Sequence, residues 1–323
     1  MITILKNDLN RLLCKKFRIV LTLTLTALAI IAAIFINTHA QGMGNVALVT
    51  ENGTYDKALS SSINITIMNE APAFSELVSG KYDAIINDTN GTFSIETIKN
   101  DDYRTSLQAL LSGQTINENA VSNNRGIGTR IIGYLMMFML LEGVVLMYMF
   151  ADDKEKKQIT RVAVSPLSMT KYLFAHSAFT FLFIFIPTLM ILYIVKFVMA
   201  ADIGFSLTEY ILLLGIISAF ATAFSLFLNA LASKSETANM MGSAIVILTT
   251  MLSGSFYSFE KGNALLENII GFLPQKAYLT FVGGIESGLA FQVIFPSLIY
   301  LASLGLIFFI IAIVKTRKDY VNH

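Results

Sequence analysis

From its first residue the chain sets apolar side chains at three- and four-residue spacings: Ile2, Leu5, Leu9, Leu12, Leu13 and Phe17. Asn7, Asp8, Asn10, Arg11 and Lys15 take the other face. This pattern predicts an amphipathic helix within residues 1–18, lying in the headgroup plane of a membrane. Beyond it the pattern changes to long, unbroken apolar runs. A helix rises about 1.5 Å per residue, so about 20 apolar residues cross a 30 Å hydrocarbon layer. Six runs reach that length, at 19–37, 131–151, 172–195, 210–232, 237–259 and 287–314. The first run exceeds the core of a cleavable signal peptide and reads as a retained span.

Residues 38–130 follow a different rule. "NVALVT", "NITIMN", "YDAIIND" and "TFSIETIK" carry β-branched residues bounded by Gly, Asn and Asp, and predict strands. "APAFSELVSG" and "DDYRTSLQALLSGQ" predict two short helices, each stopped by a glycine. The segment reads as a small α/β domain between the first and second spans. The fold class that emerges is an all-α polytopic membrane protein of six helices with this domain inserted.

Composition agrees: 54% of the 323 residues are hydrophobic, 14% are charged, and mean hydropathy is +0.64. Soluble domains carry about a quarter charged residues. Net charge is +1, which argues against nucleic acid as a partner. The single cysteine, Cys14, excludes an internal disulfide framework. Basic residues then set orientation. Fourteen lie in the two ends and the loops at 152–171 and 233–236, against three in the short loops opposite (Lys196, Lys261 and Lys276). Both termini are therefore expected in the cytoplasm, residues 38–130 outside it, and the protein in the cell membrane as a multi-pass chain. The outer segment carries ten acidic and five basic residues between 38 and 128, a surplus that most simply solvates its surface.

Signs of catalysis are missing. His39, His176 and His323 share no helix, so no metal-ligand spacing arises. There is no G-x-x-x-x-G-K-[ST] loop, no G-x-S-x-G elbow and no H-E-x-x-H helix. The chain is not expected to be an enzyme or to hold a metal or cofactor itself. Glu142 is the acidic residue near the middle of a span, where a charge costs roughly 2.5–3.5 kcal/mol on insertion scales. It reads either as a contact on a substrate path or as a hydrogen-bonded lock between helices. His176 and Asn229 are its possible partners, though each reads more simply as a packing polar group. Pro187 and Pro296 are expected to kink the third and sixth spans.

The loop at 152–171 packs eight charged residues into twenty, between two apolar runs. Within it, "KKQITRVAVSPL" predicts a short helix with Ile159, Val162 and Ala163 on one side. Lys156, Lys157, Thr160 and Arg161 occupy the other, and the element ends before Pro166. On these grounds the loop is either a basic anchor or an element that passes movement from a cytoplasmic partner into the membrane.

The run "EKKQITRVAVSPLSMTKYL" resembles the coupling-helix signature of ABC-2 type transporter permeases. Glu155, Arg161, Ser165, Pro166, Leu167, Ser168 and Tyr172 fall on matching positions, while Lys157 and Gln158 depart from the usual Gly-Thr. "SGKYDAIIND" and the segment "NALLENIIGFLPQKAYLTFVGGI" are similar to the outer strand and outer re-entrant hairpin (here 260–286) of that family, with Pro274 at the kink. The resemblance implies the type V exporter-like fold and the permease half of an exporter. It also implies pairing with a second permease subunit, as a homo- or heterodimer, amid membrane lipid. ATP and Mg would be bound by a separate ABC ATPase subunit, docked through the coupling helix and the N-terminal helix. Glu155, Ile159, Arg161, Val162, Ser165 and Pro166 would serve that coupling. Two rival readings remain: a membrane sensor or immunity protein whose outer domain binds a peptide, and a membrane-embedded enzyme acting on lipid.

Overall fold

The structure, a computed structural model, describes residues 2–14, 45–50, 64–68, 70–78, 81–89, 92–97, 126–199, 203–255 and 264–320. It also describes scattered positions between 16 and 33 and between 104 and 111. The chain divides into two compact units, one of residues 1–34 with 127–323 and the other of residues 35–126.

The smaller unit is built on a four-stranded sheet of β1 (Asn45–Val49), β2 (Asn64–Met68), β3 (Ala84–Thr89) and β4 (Thr92–Glu96), in the order β2-β1-β3-β4. Strand β1 runs parallel to β2 and β3, and β4 returns antiparallel along β3. Val46, Leu48, Ala84 and Ile86 pack on one face with Ile95 and Leu107. Ala47 and Ile85 pack on the other with Leu77 and Tyr82. Burial on both faces explains why β1 and the start of β3 are nearly continuous apolar runs rather than clean alternations. Helix α2 (Phe74–Val78) supplies Leu77. Most of the second expected helix, at 101–114, lies outside the described residues. Its described positions Arg104, Leu107, Gln108 and Leu111 are helical, and Leu107 closes the first face. Lys81 Nζ lies 3.1 Å from Glu76 Oε2, and that hydrogen bond, aided by the carboxylate charge, raises the ammonium above its ordinary pKa.

The larger unit is helical. It begins with α1 (Ile2–Cys14). Then α3 (Ile127–Leu146) and α4 (Tyr148–Glu155) form one run broken only by a turn at Met147, followed by the short α5 (Gln158–Ala163). After them come α6 (Met169–Val198), α7 (Leu207–Leu231), α8 (Ser235–Leu252), α9 (Ala264–Gly271), α10 (Pro274–Glu286) and α11 (Phe291–Tyr320). Four stretches among the described residues are long and apolar enough to cross a membrane: Ile127–Glu155, Met169–Val198, Leu207–Leu231 and Phe291–Tyr320. Six were expected. Most of the first, at 19–37, lies outside the described residues, and its described positions are helical. The fifth is α8, whose 18 residues open on Ser235, Glu236, Thr237 and Asn239, which dilute its apolar character. Residues 256–259 of that run lie outside the described residues, as do 260–263 of the expected hairpin. Pro274 opens α10 in its first turn, where a missing N–H costs nothing. Pro187 and Pro296 lie inside α6 and α11.

Helices α3 and α7 are mostly buried, while α6 and α11 turn most of their apolar surface outward. Gly143 lets α3 approach α7 closely, since a Cβ there would lie 3.0 Å from the Ala221 carbonyl oxygen. At the N-terminal end of α3, Glu286 Oε1 and Oε2 accept from the backbone N–H groups of Gly128 (2.7 Å) and Thr129 (2.9 Å). The carboxylate thereby satisfies two of the donors that a helix start leaves free.

One expectation about α1 is corrected. Of its apolar stripe, Leu5 and Leu12 turn inward as Leu9 and Leu13 stay exposed, and Asp8 joins the inward face, with Asp8 and Leu12 fully buried. Asp8, expected on the solvated face, turns inward because ionic partners await it there.

Candidate functional site, a buried ionic knot beside α5

The loop after α4 forms the short helix that its pattern predicts. Lys157 adopts a left-handed conformation, φ 55°, which turns the chain from α4 into α5. At the other end the Ser165 hydroxyl donates to the Val162 carbonyl (2.7 Å) and accepts from Leu167 N (3.3 Å), so the chain turns before Pro166. Ile159 is fully buried, in a cluster with Met147, Phe150, Tyr172 and Leu226. Val162 and Ala163 pack on the edge of that cluster. Thr160, Arg161, Ser165 and Pro166 are exposed, as is Val164, at 86%. The two faces therefore divide the expected coupling residues. Ile159 anchors the element, and Arg161, Ser165 and Pro166 are offered outward, with Val164 added to them.

Beside α5, three elements meet in a cluster of charges. Arg11 Nη1 of α1 lies 2.9 Å from Asp153 Oδ1 of α4, and 4.0 Å from Asp8 Oδ1 on its own helix. Its other nitrogen, Nη2, donates to the Met149 carbonyl (3.3 Å) and lies 3.8 Å from Asp152 Oδ2. His176 of α6 places Nδ1 2.8 Å from Asp8 Oδ2 and Nε2 3.7 Å from Asp153 Oδ2. The Tyr172 hydroxyl donates to Asp153 Oδ2 (2.5 Å), and its ring meets the imidazole edge-on, with centroids 4.6 Å apart. Asp8, Asp153 and His176 are all buried. Charges taken out of water are costly to hold unless they are paired, so this knot fixes α1 against α4 and α6.

Neither of the possible partners of Glu142, His176 or Asn229, pairs with it. His176 belongs to the ionic knot. The Asn229 amide donates to Ser225 O (2.8 Å) on its own helix. Glu142 is buried and accepts from the Thr26 hydroxyl, a position in the first run. Glu155, one of the expected coupling residues, is exposed and accepts from Ser235 N at 2.5 Å.

Sequence reasoning passed over Asp8, Arg11, Asp153 and Lys154. A signal for Asp8 was present: Leu5, Asp8 and Leu12 share one helical face at three- and four-residue spacing, so any helix burying the leucines buries the carboxylate. Nothing comparable marks Asp153 among its charged neighbours. Among the described residues no group of three or more His, Cys, Asp and Glu side chains could hold a metal ion.

The profile of the ABC-2 family transporter proteins matches residues 15–314, nearly the whole chain. The chain belongs to that family. It is thus an ABC-2 membrane component, the permease part of an ABC transporter, and the family implies association with an ABC ATPase. The matched region takes in the charged loop, α5, three of the four candidate spans and the last as far as residue 314. No curated protein matches the chain significantly.

Proposed function

We propose that this permease is one of two membrane subunits of an exporter. Each subunit docks a separate ATPase through α5 and α1, and ATP hydrolysed there drives a substrate out of the cytoplasm or the inner leaflet. The observation that carries this reading is the ionic knot. Arg11, Asp8, Asp153 and His176 join the N-terminal helix, the base of the coupling loop and the start of α6, so a push on either surface element reaches two spans. The basic bias of the loops supports a cytoplasmic position for the residues of this knot and an extracytoplasmic one for residues 38–130. The exposed apolar faces of α8 and α11, with Met240, Leu248, Ile299 and Leu306 among their residues, suit lipid and the second permease. Glu142, whose side chain is not part of the knot, is the residue we place nearest a substrate path.

On this reading Arg161, Val164 and Pro166 touch the ATPase. An Arg161→Glu permease should lose most of the ATPase that co-purifies with it, together with permease-dependent ATP hydrolysis. Its own thermal midpoint should stay near wild type, because Arg161 is exposed. An unchanged complex with unchanged hydrolysis would remove α5 as the docking element.

A further inference from the structure

Next to the knot, two adjacent residues of opposite charge make a second connection. Helix α7 ends at Leu231, and the last carbonyls of a helix have no partner within it. Lys154, in the last turn of α4, donates from Nζ to three of the carbonyls there: Asn229 (2.9 Å), Ala230 (2.9 Å) and Ala232 (2.6 Å). An ammonium has three donors, and all three have partners here. Helix α8 then begins at Ser235, and Lys234 before it supplies no side-chain cap. The missing acceptor comes from Glu155, whose Oε1 takes the Ser235 N–H. The cation thus sits at the negative pole of one helix and the anion at the positive pole of the next, each on its favourable side. Lys156 and Lys157, the next residues, are exposed. Lys154 is therefore more than another basic residue of the loop.

We propose that Lys154 and Glu155 are positioning residues that bracket the turn between α7 and α8, so that movement of the coupling helix reaches those two helices as well as α3. The proposal rests on the reading that α5 docks the ATPase. Helix α4 is separated from α5 only by Lys156 and Lys157. A displacement of α5 therefore moves the bracket, and through it the end of α7 and the start of α8. Glu155 is exposed, yet its carboxylate is engaged by a backbone N–H, so on this proposal it serves the bracket rather than the docking contact and its loss leaves docking intact.

The test is hydrogen exchange on the full permease–ATPase complex, with and without Mg-ATP, followed in the peptides that cover α5 and residues 229–238. In wild type, Mg-ATP should change exchange in both segments. Glu155→Ala should speed exchange at the start of α8 by about tenfold, the loss of a helix cap. It should also abolish the nucleotide response there while leaving the response in α5. Glu155→Gln, which keeps an acceptor oxygen, should restore most of both. Lys154→Met should do the same at the end of α7, with Lys154→Arg as its rescue. Wild-type exchange and response at residues 229–238 in Glu155→Ala and Lys154→Met would overturn the proposal. Loss of the ATPase from Glu155→Ala would overturn it too, by making Glu155 a docking contact. If α5 shows neither ATPase protection nor a nucleotide response in wild type, the docking reading fails instead. Faster exchange in the ATPase-free variants would then still show the bracket's structural part.

Discussion

An Arg11→Met permease should be less stable than wild type by about 3–5 kcal/mol, the usual result of removing one partner from a buried ionic group. Arg11 is the cation shared by Asp8, Asp152 and Asp153, and two of those carboxylates are buried. Without it, Asp8 and Asp153 keep only His176 and the Tyr172 hydroxyl between them. Methionine keeps much of the side-chain volume, so the loss reports charge rather than packing. The thermal midpoint of the purified protein should fall by roughly 10 °C. Protease should cut α1 sooner, because its inward face would lose its strongest tie. An Asp153→Asn substitution added to Arg11→Met should recover part of the loss, and a double-mutant cycle would give the coupling between the two. Strict additivity, with no recovery, would mean that the pair contributes nothing and that α1 is held by Asp8 on His176 and by Leu5 and Leu12.

Gly204→Ala should be nearly as damaging, for a different reason. Gly204 has φ +78°, and a Cβ built on it would stand 2.3 Å from Gly128 N and 2.8 Å from Gly128 Cα. The left-handed conformation costs an alanine about 1–2 kcal/mol. Overlap with backbone, which cannot rotate away, adds about 1–3 kcal/mol. The overlap falls on the first turn of α3, where Glu286 takes the Gly128 and Thr129 N–H groups, so that cap should be lost as well. Gly288→Ala is the natural control. Its φ is +67°, yet nothing lies within 4 Å of its Cβ position. It should show only the conformational part, and the difference in thermal midpoint between the two variants isolates the clash. Equal effects would show that Gly128 can move aside.

The membrane class, the helical body and the short helix after α4 were legible because each depends on a periodic pattern that one segment carries by itself. Ile159, Val162 and Ala163 repeat at helical spacing, and the structure buries Ile159 and half-buries the other two. Strands β1 to β4 were legible for the same reason. The partners of the charges were not. From sequence, Glu142 drew His176 and Asn229 because all three are polar residues in apolar runs. In the structure Glu142 meets Thr26, while His176 meets Asp8 and Asp153. Such pairings depend on how helices rotate and abut, which no single run records.

The sequence alone therefore determined that this chain is built for a membrane, which end of each run carries positive charge, and that one charged loop is shaped as a helix. Those properties follow from local hydropathy and spacing, summed residue by residue. Only the tertiary structure decided that Asp8 faces inward, and that Lys154 and Glu155 hold the poles of two other helices. It likewise decided that Gly204 must be a glycine because Gly128 lies against it. Each of these joins groups distant in the chain, and a hydrogen bond or a clash exists only once packing has brought its two sides within a few ångströms. The loop thus looked from sequence like a surface for a partner, and the structure shows that half of its charged side chains also tie the permease's own helices together.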